Sequence, residues 1–331
     1  MQFLRNGGRA VCLCAAFLLM AGCGGAGATS AVPLGATTQS QAHQVSGKSW
    51  MLPEAKGEDL IYAVGGCGGT CILSYPGGKV VGAISGYDGG AYESADCSDA
   101  NGNVYIANNN EVAEFAHAGT TPVATFALPG DNARGCSVDP ISGSLAVVYE
   151  DSPVAVFKPG SGEPITYESG LDASYCGYDN AGNLFVDGLG SGEKVGLAEL
   201  PKGGDTFLSV SVNQSVGQPG QIQWDGKYIT YESAGYPPVV ISQLEVYGSQ
   251  ATVVGTATLK SIQHFSRQSW IYKDAIIVPY SNHRDEYATN IGIWKYPDGG
   301  KPSRKVTRFQ GYSKKHIGFY GATLSVASDN D

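Results

Sequence analysis

The chain has 331 residues, enough for one large domain or two ordinary ones. Only 15% of them are charged, while 47 are Gly and 19 are Tyr, a balance that favours short strands and tight turns over helices. The net charge of -9 argues against a nucleic-acid partner, because a surface that binds one must neutralise phosphates with Lys and Arg.

In chain order, residues 1–22 read as a signal segment. Arg5 and Arg9 form a cationic start, and residues 10–20 form an apolar stretch too short to span a bilayer. It runs into Ala21-Gly22-Cys23. Small residues directly before a Cys resemble the bacterial lipobox, although Met20 stands where that family prefers Leu. The resemblance implies cleavage before Cys23, lipidation of Cys23 and a membrane anchor. Gly24 follows in place of the family's Asp retention signal, which implies the outer membrane if the cell has two. The alternative is an ordinary secretory signal with an incidental Cys. Residues 23–52 are small and polar and read as a flexible tether, too poor in apolar groups to offset ordering entropy.

Residues 53–331 carry a repeat. One half of the unit is a short run, an Asp, a turn and a β-rich run. It appears as CSDANGNVYIAN from Cys97, CSVDPISGSLAVVYE from Cys136, CGYDNAGNLFVDG from Cys176, QIQWDGKYITYE from Gln221 and SWIYKDAIIVPY from Ser269. The Asp residues are Asp99, Asp139, Asp179, Asp225 and Asp274. The other half is a hairpin with a glycine at its tip: Gly78, Gly119, Gly162, Gly204, Gly248 and Gly300. Four short strands per unit cannot bury both faces alone. Six such units packed around an axis can, and the expected fold is all-β, a six-bladed β-propeller of four-stranded antiparallel blades. The first unit opens with LIYAV, which corresponds to a second strand. YGATLSVASDND at the C-terminus resembles the missing first strand, so the C-terminal strand should complete the first blade and close the ring. A solenoid would need caps and would leave edges.

The D-x-x-G-N-hydrophobic pattern, clearest in DANGNVYIA and DNAGNLFVD, resembles the NHL-repeat and gluconolactonase-like six-bladed propellers. Propellers host many functions, so the pattern speaks to fold more than to activity. If the innermost strand of each unit starts at a top face, the Asp-containing turns lie at the bottom. They read as structural turns, because Asp and Asn cap their own backbone and Gly supplies positive φ. Asp179 and its neighbours offer too few oxygens for calcium.

The resemblance places function at the top mouth of the channel. There it implies a divalent-metal site from a Glu, an Asn and an Asp, for which Glu93, Asn132 and Asp172 are the candidates. A polar rim without chemistry is the alternative. Arg134, Gln221, His264, Arg267, His316 and Tyr320 stand at similar stations. The charged loop 281–290 adds His283 and Arg284 as partner contacts, or as a solvated segment. The basic stretch 301–316 reads as a patch for an anionic surface or as a protected outer strand.

Eight Cys occur. Cys67 and Cys71, in CGGTC, are expected to form a local disulfide. Cys97, Cys136 and Cys176 are read as small buried residues of the innermost strands, with a pair or a thiol metal site as the alternatives. No G-x-S-x-G elbow and no H-E-x-x-H occurs. The expectation is therefore a monomeric, envelope-anchored binding module for a protein or glycan, with a metal-dependent lactonase-like hydrolase as the alternative.

Overall fold

In the computed structural model, which describes residues 47–89, 95–150, 153–283, 287–312 and 317–328, the apolar runs become short antiparallel strands. The first sheet holds β1 (Trp50–Met51), β2 (Leu60–Gly66), β3 (Gly69–Ser74) and β4 (Val80–Ser85), with β26 (Gly321–Ser325) at its edge. The order is β1-β4-β3-β2-β26. The last strand lies antiparallel to β2, with Leu60 opposite Ser325 and Val64 opposite Gly321. The expected tether through residue 52 thus ends in a strand, since Trp50 and Met51 pair with Ala83 and Gly82.

The second sheet holds β5 (Asp96–Ser98), β6 (Val104–Asn108), β7 (Glu111–Phe115) and β8 (Ala124–Ala127). The third holds β9 (Ala133–Val138), β10 (Leu145–Tyr149), β11 (Val154–Phe157) and β12 (Ile165–Tyr167). The fourth unit contributes β13 (Asp172–Tyr178), β14 (Leu184–Leu189), β15 (Val195–Leu200) and β16 (Leu208–Val212). The fifth contributes β17 (Ile222–Trp224), β18 (Ile229–Ser233), β19 (Val239–Tyr247) and β20 (Gln250–Leu259). The sixth contributes β21 (Phe265–Ser266), β22 (Trp270–Tyr272), β23 (Ala275–Ser281), β24 (Asn290–Lys295) and β25 (Gly299–Val306).

These last three units join laterally into one 13-stranded sheet. The link is parallel: β16 pairs with β20 at Ser211 and Gln250, and β20 with β25 at Leu259 and Gly300. The repeat pattern does not announce this contact, because it depends on the exceptional length of β20. Helix among the described residues is limited to one short 3-10 turn, Pro53–Ala55.

The Asp turns are built by their own side chains. Asp99 accepts from the backbone N–H of Asn101 and Asn103 at 2.9 Å each and from the Asn103 amide at 2.8 Å. Asp179 repeats the pattern with Ala181 and Asn183. Gly102 and Gly182, at φ +82° and +85°, supply the left-handed residue each turn needs.

The core lies between the units. Leu60, Tyr62 and Val81 pack with Val104, Ile106 and Phe115. Ala107 and Val112 pack with Leu145 and Val147. Val148 and Val154 pack with Leu184 and Val186, and Phe185 and Leu197 with Tyr231 and Leu244. Val239 and Ile241 pack with Ile276 and Trp294. Finally Ile277, Ile291 and Ile293 pack with Ile61, Ala63 and Leu73, so the sixth unit meets the first. At roughly 25 cal/mol per Å² of buried apolar surface, these faces dominate stability.

The innermost strands are stapled as well. Cys97 on β5 and Cys136 on β9 form a disulfide with Cα atoms 5.7 Å apart. This corrects the expectation that Cys97 and Cys136 serve packing alone: adjacent strands bring the two Cβ atoms face to face, although their registers against the following Asp differ. Cys67 and Cys71 form a second disulfide. Cys176 is buried as a thiol.

Candidate functional site

The loops that enter the innermost strands and those that follow the second strands share one end of the molecule, the top face. Two constellations form there. In the first, Asn132, Arg134 and Asp172 converge. Arg134 Nη1 donates to Asp172 Oδ1 at 2.7 Å, and Nη2 donates to Glu150 Oε1 at 3.3 Å. The Asn132 amide donates to Glu150 Oε2 at 2.6 Å. The Glu150 carboxyl is held below its ordinary value, first by the Asn132 hydrogen bond and then by the Arg134 charge. The Arg134 guanidinium thus places a positive charge between Asp172 and Glu150. Among the described residues no group of three or more His, Cys, Asp or Glu could hold a metal. Glu93 lies outside the described residues, as do Arg284, His316 and Cys23.

The second constellation is a groove of about 940 Å³ between the fourth, fifth and sixth units. One wall is the loop from Gln214 to Pro219, which leads from β16 to β17. Tyr175 and Ser174 of β13 form another side, and the loop carrying Tyr236 a third. Ser266 and Arg267 close the end. The Arg267 guanidinium lies 5.2 Å from the Phe265 ring and 5.9 Å from the Tyr320 ring, both cation–π contacts. Tyr236 is 73% exposed and leans on His264, ring centres 5.4 Å apart. Arg267 and Tyr320 therefore meet, and His264 reaches the groove through Tyr236. Gln221 does not join them: it is buried, and its amide donates to the Ile222 carbonyl at 3.1 Å. His283 lies in a local turn, its N–H donating to Ser281 Oγ.

Two buried carboxyls shape the groove from beneath. Asp187 accepts from the N–H of Tyr175 at 2.9 Å and of Gly220 at 2.8 Å, so it ties one wall to the end of the next loop. Burial raises it to about 8, against the pull of these two N–H groups. Glu232 accepts from the Ser269 hydroxyl at 2.7 Å and the Ser266 hydroxyl at 3.4 Å. Burial likewise raises it to about 7. The sequence signal for both is an acidic residue inside a β-rich run, LFVDGL and ITYES, which the repeat pattern leaves unremarked. Chemically, the groove offers hydroxyls from Ser174, Ser215 and Ser233, aromatic edges and one guanidinium. That inventory suits polar recognition.

The chain is similar in structure to a protein of unknown function from Bacteroides caccae, with a TM-score of 0.57 at 12% identity, covering 81% of this chain and 99% of that one. It is similar to the β-propeller domain of Myceliophteria thermophila Cps50 (Swd1), with a TM-score of 0.53 at 10% identity, covering 78% and 85%. The chain has a β-propeller fold. Hydrazine synthase from Kuenenia stuttgartiensis is a further structural neighbour, with a TM-score of 0.51 at 11% identity, covering 78% and 80%. At these identities the likeness concerns the fold alone. No family model and no curated protein matches the chain. On the propeller, the groove lies on the face opposite the Asp turns, beside the Arg134 network.

Proposed function

We propose that this propeller has six blades, closed where β26 completes the first, and acts as a lipid-anchored binding module of the cell envelope. Its ligand, an envelope protein or glycan, enters the top-face groove. Six apolar interfaces support the blade count, the sixth joining the last unit to the first. The Ala21-Gly22-Cys23 lipobox supports the anchor.

The observation that carries the binding role is the groove itself. It combines an exposed Tyr236, serine hydroxyls and Arg267, and Asp187 and Glu232 fix parts of its frame by bonding Tyr175, Gly220 and Ser266. Exposed aromatic rings on a rigid frame are common binding anchors. Arg134 already balances Asp172, which favours binding over the metal-dependent reading. Pull-down from envelope extract tests the proposal. The wild-type chain should retain a protein or glycan that Tyr236→Ala loses, at unchanged melting temperature. Equal capture by the two chains would contradict it. Palmitate labelling tests the anchor: label should reach the wild type and vanish in Cys23→Ser.

A further inference from the structure

The opposite end of the axis holds a second recess, of about 560 Å³. Every one of the six repeat units lends it a residue, from Leu324 of the completed first unit to Trp270 of the last. Its wall carries four aromatic rings, Trp224, Trp270, Tyr178 and Tyr272, and two carboxylates, Asp99 and Asp139. The recess lies at the turns whose Asp side chains look purely structural in the sequence. We infer that this bowl is a binding site for a neutral saccharide unit of one or two rings.

The argument rests on which groups remain unspent. The two carboxylates face their own turns: Asp99 takes the Asn101 and Asn103 N–H groups, and Asp139 takes the Ile141 N–H and the Ser142 hydroxyl. Donors are left over. Among the described residues, the indole N–H groups of Trp224 and Trp270 and the hydroxyl of Tyr178 have no hydrogen-bond partner. A ligand that fits must therefore bring acceptors for three donors and apolar faces for flat rings. Sugars do both, since their C–H faces stack on aromatic rings and their hydroxyl oxygens accept. An anion is disfavoured, because Asp99 and Asp139 stand in the wall and no Lys or Arg does. An ammonium ion would suit the ring faces, yet would leave all three donors unpaired. The volume lies within the range of small-molecule sites.

The test is a titration of the full chain, in a detergent without a sugar head group, followed by tryptophan fluorescence and calorimetry. The probes are N-acetylglucosamine, maltose and cellobiose, with tetramethylammonium as the comparison. At least one saccharide should bind saturably and shift the tryptophan emission. Trp224→Phe, which keeps a ring and drops the N–H, should weaken that binding about five-fold, and Trp224→Ala more than about ten-fold. The Phe variant keeps the test valid if the Ala variant fails to fold. Absence of binding by all three sugars, binding of tetramethylammonium alone, or unchanged affinity in Trp224→Phe would overturn the inference. The groove on the top face takes no part in this experiment, so its outcome is independent of the pull-down.

Discussion

Asp187 shows how one buried side chain sets a surface. It lies beneath the groove and fixes the position of Tyr175 and of the loop end at Gly220 through two N–H groups. The burial that makes those bonds firm also raises its carboxyl to about 8, and raises Glu232 to about 7. In the unfolded chain both acids titrate near 4. The folded state therefore keeps its protons longer, and stability falls as pH rises from about 4 through 7 to 8. Urea unfolding at pH 5, 7 and 9 should show that decline in the wild type, and Asp187→Asn should make it shallower, leaving the part that Glu232 contributes. An unchanged slope in the variant would contradict the assignment. The exposed ion pairs behave differently: Asp172→Asn should change stability by less than about 1 kcal/mol, because solvent screens its bond to Arg134. At this scale the sequence shows some side chains and hides others. Asp99 and Asp179 are legible because a turn Asp with Gly and Asn is a local device, complete within five residues. Asp187 is not, because its partners Tyr175 and Gly220 come from different segments, and alone it resembles a strand end before Gly188.

At the scale of elements, the repeat is legible and its exceptions are not. The β-rich runs between the Asp turns and the Gly tips place most of the strands. The pairing of β26 with β2 follows from a C-terminal segment that copies the missing first strand. Its removal leaves Leu60, Tyr62 and Val64, all buried, beside an open edge. A chain ending at Tyr320 should lose the cooperative transition near the wild-type melting temperature, and Leu324→Ala should cost about 2–5 kcal/mol. A truncated chain that melts with the wild type would refute the role of β26. The bond between β5 and β9 escapes the sequence because Cys97 and Cys136 sit at different distances from their turn Asp. Joining two residues with a separation of 39 restricts the unfolded chain, so Cys97→Ala with Cys136→Ala should cost about 4 kcal/mol on the chain-entropy estimate. Reversible denaturation under non-reducing conditions measures it.

At the scale of the whole molecule, six interfaces between units lock the frame, and its two ends differ in kind. The top end carries a groove walled by two loops and by β13, with Tyr236 and Arg267 among its lining residues. The bottom end carries a bowl to which all six units contribute one way or another. The sequence locates the ends, because the Asp turns mark one of them. It does not show the groove, which exists only where the loop from Gln214 to Pro219 meets the turn carrying Tyr236 across the junction of two units. The measurement that tests the central claim most directly uses a photo-reactive phenylalanine analogue in place of Tyr236 and, separately, of Tyr247. Tyr247 is 90% exposed at a hairpin tip on the other face. Irradiation in intact cells should cross-link an envelope component at position 236 and none at position 247. Capture confined to position 247, or equal at the two positions, would contradict a binding module that works through its top-face groove.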